Sequence, residues 1–198
     1  MRIISGRARS IRLVVPQSDK VRPTEDKVKE SLFATLGDIS GCAVLDLFSG
    51  TGALGLEALS RGASQVVMIE REESHVAAMR TNLAAVQKAI SSSGASPDEI
   101  GTVQIIRADV RSALKALSGK FDIILADPPY HPAPGEYGGR ELLLDDALLQ
   151  LASGDAIIML EHDTATKDLP WAPHSQWQLL KSRAFGIRTA SFARVGEK

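Results

Sequence analysis

The sequence has almost no cysteine: Cys42 stands alone among 198 residues, so no internal disulfide can form and a reducing compartment is the expected setting. It also has no apolar run approaching the ~20 residues of a membrane helix, which excludes a helical span. The opening Met1-Arg2-Ile3-Ile4-Ser5-Gly6-Arg7 carries charge but no apolar stretch long enough for a signal peptide, and points to the cytoplasm. No internal repeat is visible. The four histidines, His75, His131, His162 and His174, form no ligand-like cluster with one another or with Cys42, so no metal is expected. Net charge is nearly absent too: 23 basic and 24 acidic side chains leave −1 at pH 7. A value so close to zero argues against a nucleic-acid partner, because phosphate binding needs a positive surface.

The placement of the charges reverses that inference. Residues 1–22 hold Arg2, Arg7, Arg9, Arg12, Lys20 and Arg22 against Asp19, a local +5. Residues 181–198 hold Lys181, Arg183, Arg188, Arg194 and Lys198 against Glu197, a local +4, which leaves −10 for the centre. Basic ends flank an acidic middle. Solvated termini explain such runs as readily as a phosphate-binding surface does.

What the chain does contain is one domain's worth of folding material, 198 residues of which 44% are hydrophobic. From residue 43 onward, short Val- and Ile-rich runs alternate with helical periodicity. Strands are predicted at Ala43–Leu47, Gln65–Ile69, Val103–Ile106, Phe121–Ala126 and Ala156–Leu160. A helix over 72–90 carries Val76, Met79, Leu83, Val86 and Ile90 at spacings of three and four, and Leu142–Leu151 reads as another. Alternation of this kind builds a doubly wound α/β fold, with a mostly parallel sheet covered on both faces. Gln176–Ser182 and Ile187–Val195 break the alternation and predict an antiparallel hairpin at the sheet edge, which brings the strand count to seven. Before residue 43, Arg2–Ser5 and Ile11–Val15 read as a small hairpin closed by Gly6. The expected layout is a basic N-terminal β-hairpin extension over 1–22 and the main domain over 23–198. Thr24, after Pro23, is placed to cap a helix whose buried face is Val28, Leu32 and Leu36. Ser91–Gly101 and His131–Gly139 read as loops.

Chemistry concentrates at the strand ends. The first strand runs into Asp46-Leu47-Phe48-Ser49-Gly50-Thr51-Gly52-Ala53-Leu54-Gly55, where missing side chains let the backbone turn tightly and approach a ligand at a helix N-terminus. Glu70 closes the second strand, 24 residues after Asp46, where a carboxylate can accept the ribose hydroxyls of a nucleoside. Asp109 follows the third strand and could receive an adenine amino group, or equally cap a helix. The fourth strand ends in Asp127-Pro128-Pro129-Tyr130. A specified tetrapeptide arises in a chain this long about once in a thousand sequences. Two prolines fix the backbone, so the Asp127 carboxylate and the Pro128 carbonyl stand as neighbouring acceptors for a planar NH2 group while Tyr130 offers a stacking face.

These features resemble the class I S-adenosylmethionine-dependent methyltransferases, a Rossmann-like fold, and Asp-Pro-Pro-Tyr resembles the signature of those that methylate amino nitrogens. Arg2-Ile3-Ile4-Ser5-Gly6, Arg22-Pro23-Thr24, the run Gly52–Gly62 and Asp127–Tyr130 together resemble the bacterial RsmD family, the guanine-N2 methyltransferases of 16S ribosomal RNA. The likeness covers essentially the whole chain. Two features depart from it: Arg7-Ala8-Arg9-Ser10-Ile11-Arg12 is less glycine-rich than usual, and the Ser91–Gly101 loop is longer.

The resemblance implies S-adenosylmethionine as cofactor, held by Arg22, Thr24, Asp46, Phe48, Ser49, Gly50, Gly52, Glu70, Arg71, Asp109, Val110 and Asp127. It implies catalysis by Asp127, Pro128, Pro129 and Tyr130 on an unpaired or flipped guanine, and a 16S rRNA partner within the small subunit or its precursor. RNA contacts fall to Arg7, Arg9, Arg12 and His131, and Arg22 could serve RNA or the cofactor carboxylate. Three readings compete. A DNA adenine or cytosine amino-methyltransferase would want a separate recognition domain; an idle RNA-binding assembly factor would have no chemical need for Asp127, Tyr130 and Glu70; a nicotinamide oxidoreductase would have no use for Asp-Pro-Pro-Tyr.

Overall fold

The computed structural model describes residues 1–16, 26–130, 132, 133 and 135–196. Seven strands form one sheet: β1 (Ala43–Leu47), β2 (Gln65–Glu70), β3 (Thr102–Arg107), β4 (Phe121–Ala126), β5 (Ala152–Asp163), β6 (Trp177–Phe185) and β7 (Arg188–Val195). They lie in the order β3-β2-β1-β4-β5-β7-β6. β1 pairs in parallel with both β2 and β4, so the winding reverses beside it, and a crevice opens between the carboxyl ends of β1 and β4. β7 is antiparallel to both β5 and β6.

Period-two alternation along each strand feeds two apolar layers. Val44, Val66, Met68 and Leu125 face one side with α2 (Ala53–Ser60) and α3 (Glu73–Ser92). Leu45, Val67, Ile69 and Ile124 face the other with α4 (Val110–Ala116), α5 (Gly139–Leu143) and α6 (Asp146–Leu151). α1 (Asp26–Leu36) lays Val28, Leu32 and Phe33 into the first layer. No helix among the described residues is long and apolar enough to cross a membrane.

Two sequence expectations change. The segment Leu142–Leu151 is two short helices rather than one, because Asp145 caps α6 by accepting the Ala147 amide at 2.9 Å and so restarts the helix. β5 begins at Ala152, four residues early, with a register irregularity between Phe121 and Ile123 absorbing the extra chain. The N-terminal hairpin is minimal: Arg2 and Arg12 form one isolated antiparallel bridge, flanked by backbone bonds from Ile3 to Ile11 (2.9 Å), Ser10 to Ile3 (2.8 Å) and Leu13 to Met1 (3.2 Å).

The segment is also anchored to α2. Glu57 accepts the amides of Ile4 (2.8 Å) and Ser5 (3.0 Å), and Ser60 Oγ accepts the Ala8 amide at 2.9 Å. Amides at the turn of the hairpin thus go to a helix, and Ile3, Ala8 and Leu13 are buried in the main core. Gly6 has φ 79°, and a Cβ there would stand 1.9 Å from the Ser60 carbonyl oxygen, so only glycine passes. Beneath it, the fully buried Lys29 Nζ lies 3.1 Å from Glu57 and donates to the Arg2 carbonyl at 2.6 Å. Asn82 of α3 accepts the Val14 amide (2.7 Å) and donates to the Val14 and Thr51 carbonyls, joining this segment to the glycine loop.

Candidate active site

Between β1 and α2 the chain turns through three left-handed residues, Phe48 (φ 58°), Gly50 (φ 54°) and Gly52 (φ 81°). Phe48 carries a Cβ, and for such a residue the conformation costs about 1–2 kcal/mol, which the surrounding hydrogen bonds must offset. Ser49 supplies several: its amide and hydroxyl engage the Ile69 carbonyl, and its oxygen accepts the Ile69 amide at 3.0 Å. Asp46 lies beneath the loop, where Oδ2 accepts the Gly55 amide at 2.8 Å. Burial pushes its carboxyl up to about 7; the Gly55 bond opposes that rise and the charge of Glu70 adds to it.

Glu70 ties the loop to the head of α3. Oε2 accepts the Gly50 amide at 2.8 Å, and Oε1 accepts those of Arg71 (2.7 Å) and Glu72 (2.9 Å). Asp109 does cap a helix, accepting the Ser112 amide at 3.3 Å at the start of α4.

At the end of β4, burial drives the Asp127 carboxyl well above the ordinary carboxylate range, with the charge of Glu161 adding to the effect and Arg188 opposing it. The Tyr130 hydroxyl donates to Glu161 Oε1, and Arg188 Nη1 lies 3.4 Å from the same oxygen. Burial and these carboxylates raise the phenol far above its usual value, so Tyr130 stays neutral.

Two cavities meet at this tetrapeptide. The larger, about 600 Å³, is lined by Phe48–Thr51, Glu70–Glu72, His75, Ala108–Arg111, Asp127–Tyr130 and Gly135–Tyr137. The second, about 490 Å³, is lined by Pro128–Tyr130, Gly139–Glu141, Glu161, His162 and Ala165–Leu169. Pro128, Pro129 and Tyr130 are walls of both.

Of the residues singled out in the sequence, Phe48, Ser49, Gly50, Glu70, Arg71, Asp109, Val110 and Asp127–Tyr130 line the larger cavity together. Asp46 and Gly52 do not line it: the first shapes the loop from below, and a Cβ on the second would stand 2.8 Å from Met79. Arg7, Arg9 and Arg12 are exposed on the N-terminal segment and line neither cavity, and Arg7 is paired with Glu99 at 2.7 Å. Arg22, Thr24 and His131 lie outside the described residues. Sequence reasoning missed Glu161, Arg188, His75 and Tyr137. Tyr137, just before α5, donates to Asp145 at 2.7 Å, with Arg111 over its ring at 5.5 Å.

Such a strand order, with a glycine turn after β1 and acids closing β2 and β4, defines a class I methyltransferase. Within that class the chain belongs to the family described as "Conserved hypothetical protein 95", whose model matches residues 1–194. It is 31% identical to the "Ribosomal RNA small subunit methyltransferase D" of Escherichia coli K12, over 94% of this chain and 85% of that protein. Identity is 34% to the protein of the same name from Haemophilus influenzae, over 94% and 90%. Among solved structures, "Putative methyltransferase yhhF from Escherichia coli" superposes with a TM-score of 0.79 at 28% identity, covering 100% of this chain and 99% of that one.

Proposed function

We propose that this chain uses S-adenosylmethionine to methylate the exocyclic N2 of a guanine in the 16S RNA of the small ribosomal subunit or its precursor. The observation that carries the reading is the Pro128–Tyr130 wall shared by the two cavities, directly after Asp127, since group transfer between two substrates needs one rigid element touching both. The relatives named for small-subunit ribosomal RNA methylation supply the substrate class.

The larger cavity fits a nucleoside cofactor by its donor set. Glu70 is available to ribose hydroxyls, Asp109 and Val110 flank a place for adenine, and the Phe48–Gly50 turn allows close backbone approach. S-adenosylmethionine, when bound, supplies a methyl group activated by its sulfonium. The protein's own contribution is orientation. Guanine N2 is a poor nucleophile because its lone pair is delocalised into the ring. Acceptance of its two hydrogens by Asp127 Oδ and the Pro128 carbonyl favours a pyramidal nitrogen, and the Tyr130 ring clamps the base. Ionised Asp127 then takes the proton released from N2. A base inside a duplex cannot enter, so the target is unpaired or flipped. The exposed Arg9 and Arg12, with Arg7, supply phosphate contacts, and a cytoplasmic setting belongs to the same reading.

Unmethylated small subunits incubated with labelled S-adenosylmethionine should yield N2-methylguanosine on nucleoside mapping. N6-methyladenosine as product would overturn the assignment.

A further inference from the structure

We propose that Glu161 reads the N1–H of the target guanine, making it the residue that selects guanine over other aminopurines, and that Tyr130 and Arg188 hold it in the orientation this needs. The proposal rests on the guanine-N2 reading above and adds the means of discrimination.

Register brings the two carboxylates together. Ala126 of β4 pairs with Leu160 of β5, so Asp127 and Glu161 each stand one residue beyond that pair on neighbouring parallel strands. Adjacent strands lie ~4.8 Å apart, and paired residues point to the same face. Glu161 is only 1% exposed, yet it lines the 490 Å³ cavity beside Pro128, Pro129 and Tyr130. A carboxylate so buried is costly unless its acceptors are filled. Among the described residues, the two donors that reach it, the Tyr130 hydroxyl and the Arg188 guanidinium, both meet Oε1. Oε2 is left to whatever occupies the cavity.

Guanine presents N2–H2 and N1–H on adjacent ring positions. With Asp127 and Pro128 taking the hydrogens of N2, the acceptor on the next strand falls to N1–H. Adenine and 2-aminopurine carry a lone pair at N1, which would face the lone pairs of Oε2 and lose a hydrogen bond in a buried site. The fastening of Oε1 also dictates what an amide would do. In Glu161→Gln, two donors at the Oε1 position demand the amide oxygen there, which turns the NH2 toward the cavity. That group repels N1–H of guanine and donates to N1 of 2-aminopurine.

The experiment uses small subunits reconstituted with 16S RNA carrying either guanine or 2-aminopurine at the mapped target position. Methylation of N2 is followed for the wild type and for Glu161→Gln. The wild type should prefer guanine. The ratio of kcat/KM for guanine over 2-aminopurine should fall by about 100-fold in the variant, a comparison in which the intrinsic reactivity of the two bases cancels. Binding of S-adenosylmethionine should be unchanged, since Glu161 does not line the larger cavity. An equal ratio in both proteins would overturn the proposal, because a merely structural Glu161 slows both bases alike. Should the variant fail to fold, wild-type protein that methylates both bases within about threefold overturns it as well. Failure of the underlying reading looks different: the wild type then forms no N2-methylguanosine on unmodified subunits.

Discussion

Asp127 is the residue on which the chemistry turns, and its environment sets a pH dependence. Among the described residues, four groups face it: Glu161 from β5, Arg188 from β7, Asp46 from β1 and the neighbouring Tyr130. Burial, then the charge of Glu161, raise its carboxyl to about 8, so much of it is protonated at pH 7 in the free protein. A protonated carboxyl cannot take the proton of N2. For this group kcat/KM should therefore rise as pH passes through about 8 and level off above it, and a flat profile between about pH 6 and 9 would exclude the role. Asp127→Ala should lower kcat/KM by roughly 10²–10⁴ while S-adenosylmethionine still binds, as read by calorimetric titration. The residues legible from sequence were those whose meaning is local. A glycine turn and a proline-fixed tetrapeptide declare themselves within ten residues of chain. Glu161 and Arg188 become partners only through the antiparallel pairing of β5 with β7, which no local pattern encodes. One signal could have found Glu161: it is an acid near the carboxyl end of a buried strand, the feature that singled out Glu70.

At the scale of elements, the helices and strands followed their periodicity, while the boundaries followed side-chain capping and long-range anchoring. Asp145 divided what an apolar stripe made continuous. The N-terminal segment pairs its two arms around Gly6 as expected, and in addition sends the Ile4, Ser5 and Arg7 amides to α2, an attachment the sequence did not reveal. Glu57 is the centre of that attachment, with Lys29 Nζ 3.1 Å and Arg61 Nε 2.8 Å from its carboxylate and two backbone amides donating to it. Its removal leaves Lys29 buried with its charge uncompensated and the Ile4 and Ser5 amides without their acceptor. Burial already depresses the Lys29 ammonium, opposed chiefly by Glu57. Glu57→Ala should thus cost about 3–5 kcal/mol, measured as a lower denaturant midpoint. A change under about 1 kcal/mol would mean that the segment is held by its apolar packing alone.

For the whole molecule, an α/β sheet was legible because buried parallel strands and amphipathic helices have distinct periods. The inward position of β7, between β5 and β6, was not assigned, although composition separates the two strands: Ala190, Phe192 and Ala193 are buried, whereas Gln178, Leu179 and Lys181 are exposed. That arrangement also decides what the basic ends of the chain do. Arg188 is turned inward onto Glu161, Arg183 donates to Ser31 at 2.8 Å, and Arg194 donates to Gln178 at 3.2 Å. Much of the C-terminal excess therefore serves the sheet. At the other end, Arg2 pairs with Asp26 and Arg7 with Glu99, which leaves Arg9 and Arg12, among the described residues of that end, as the exposed cations best able to meet a phosphate backbone. Substitution of Arg7, Arg9 and Arg12 by alanine should weaken RNA binding and flatten its salt dependence by about one unit of log–log slope for each phosphate no longer neutralised. Arg9 and Arg12 should carry most of that change, because Arg7 must first leave Glu99. Cofactor binding, read by titration of the same variants, should stay as it was, since none of the three lines the larger cavity. An unaltered salt slope would move the RNA-binding surface elsewhere on the molecule.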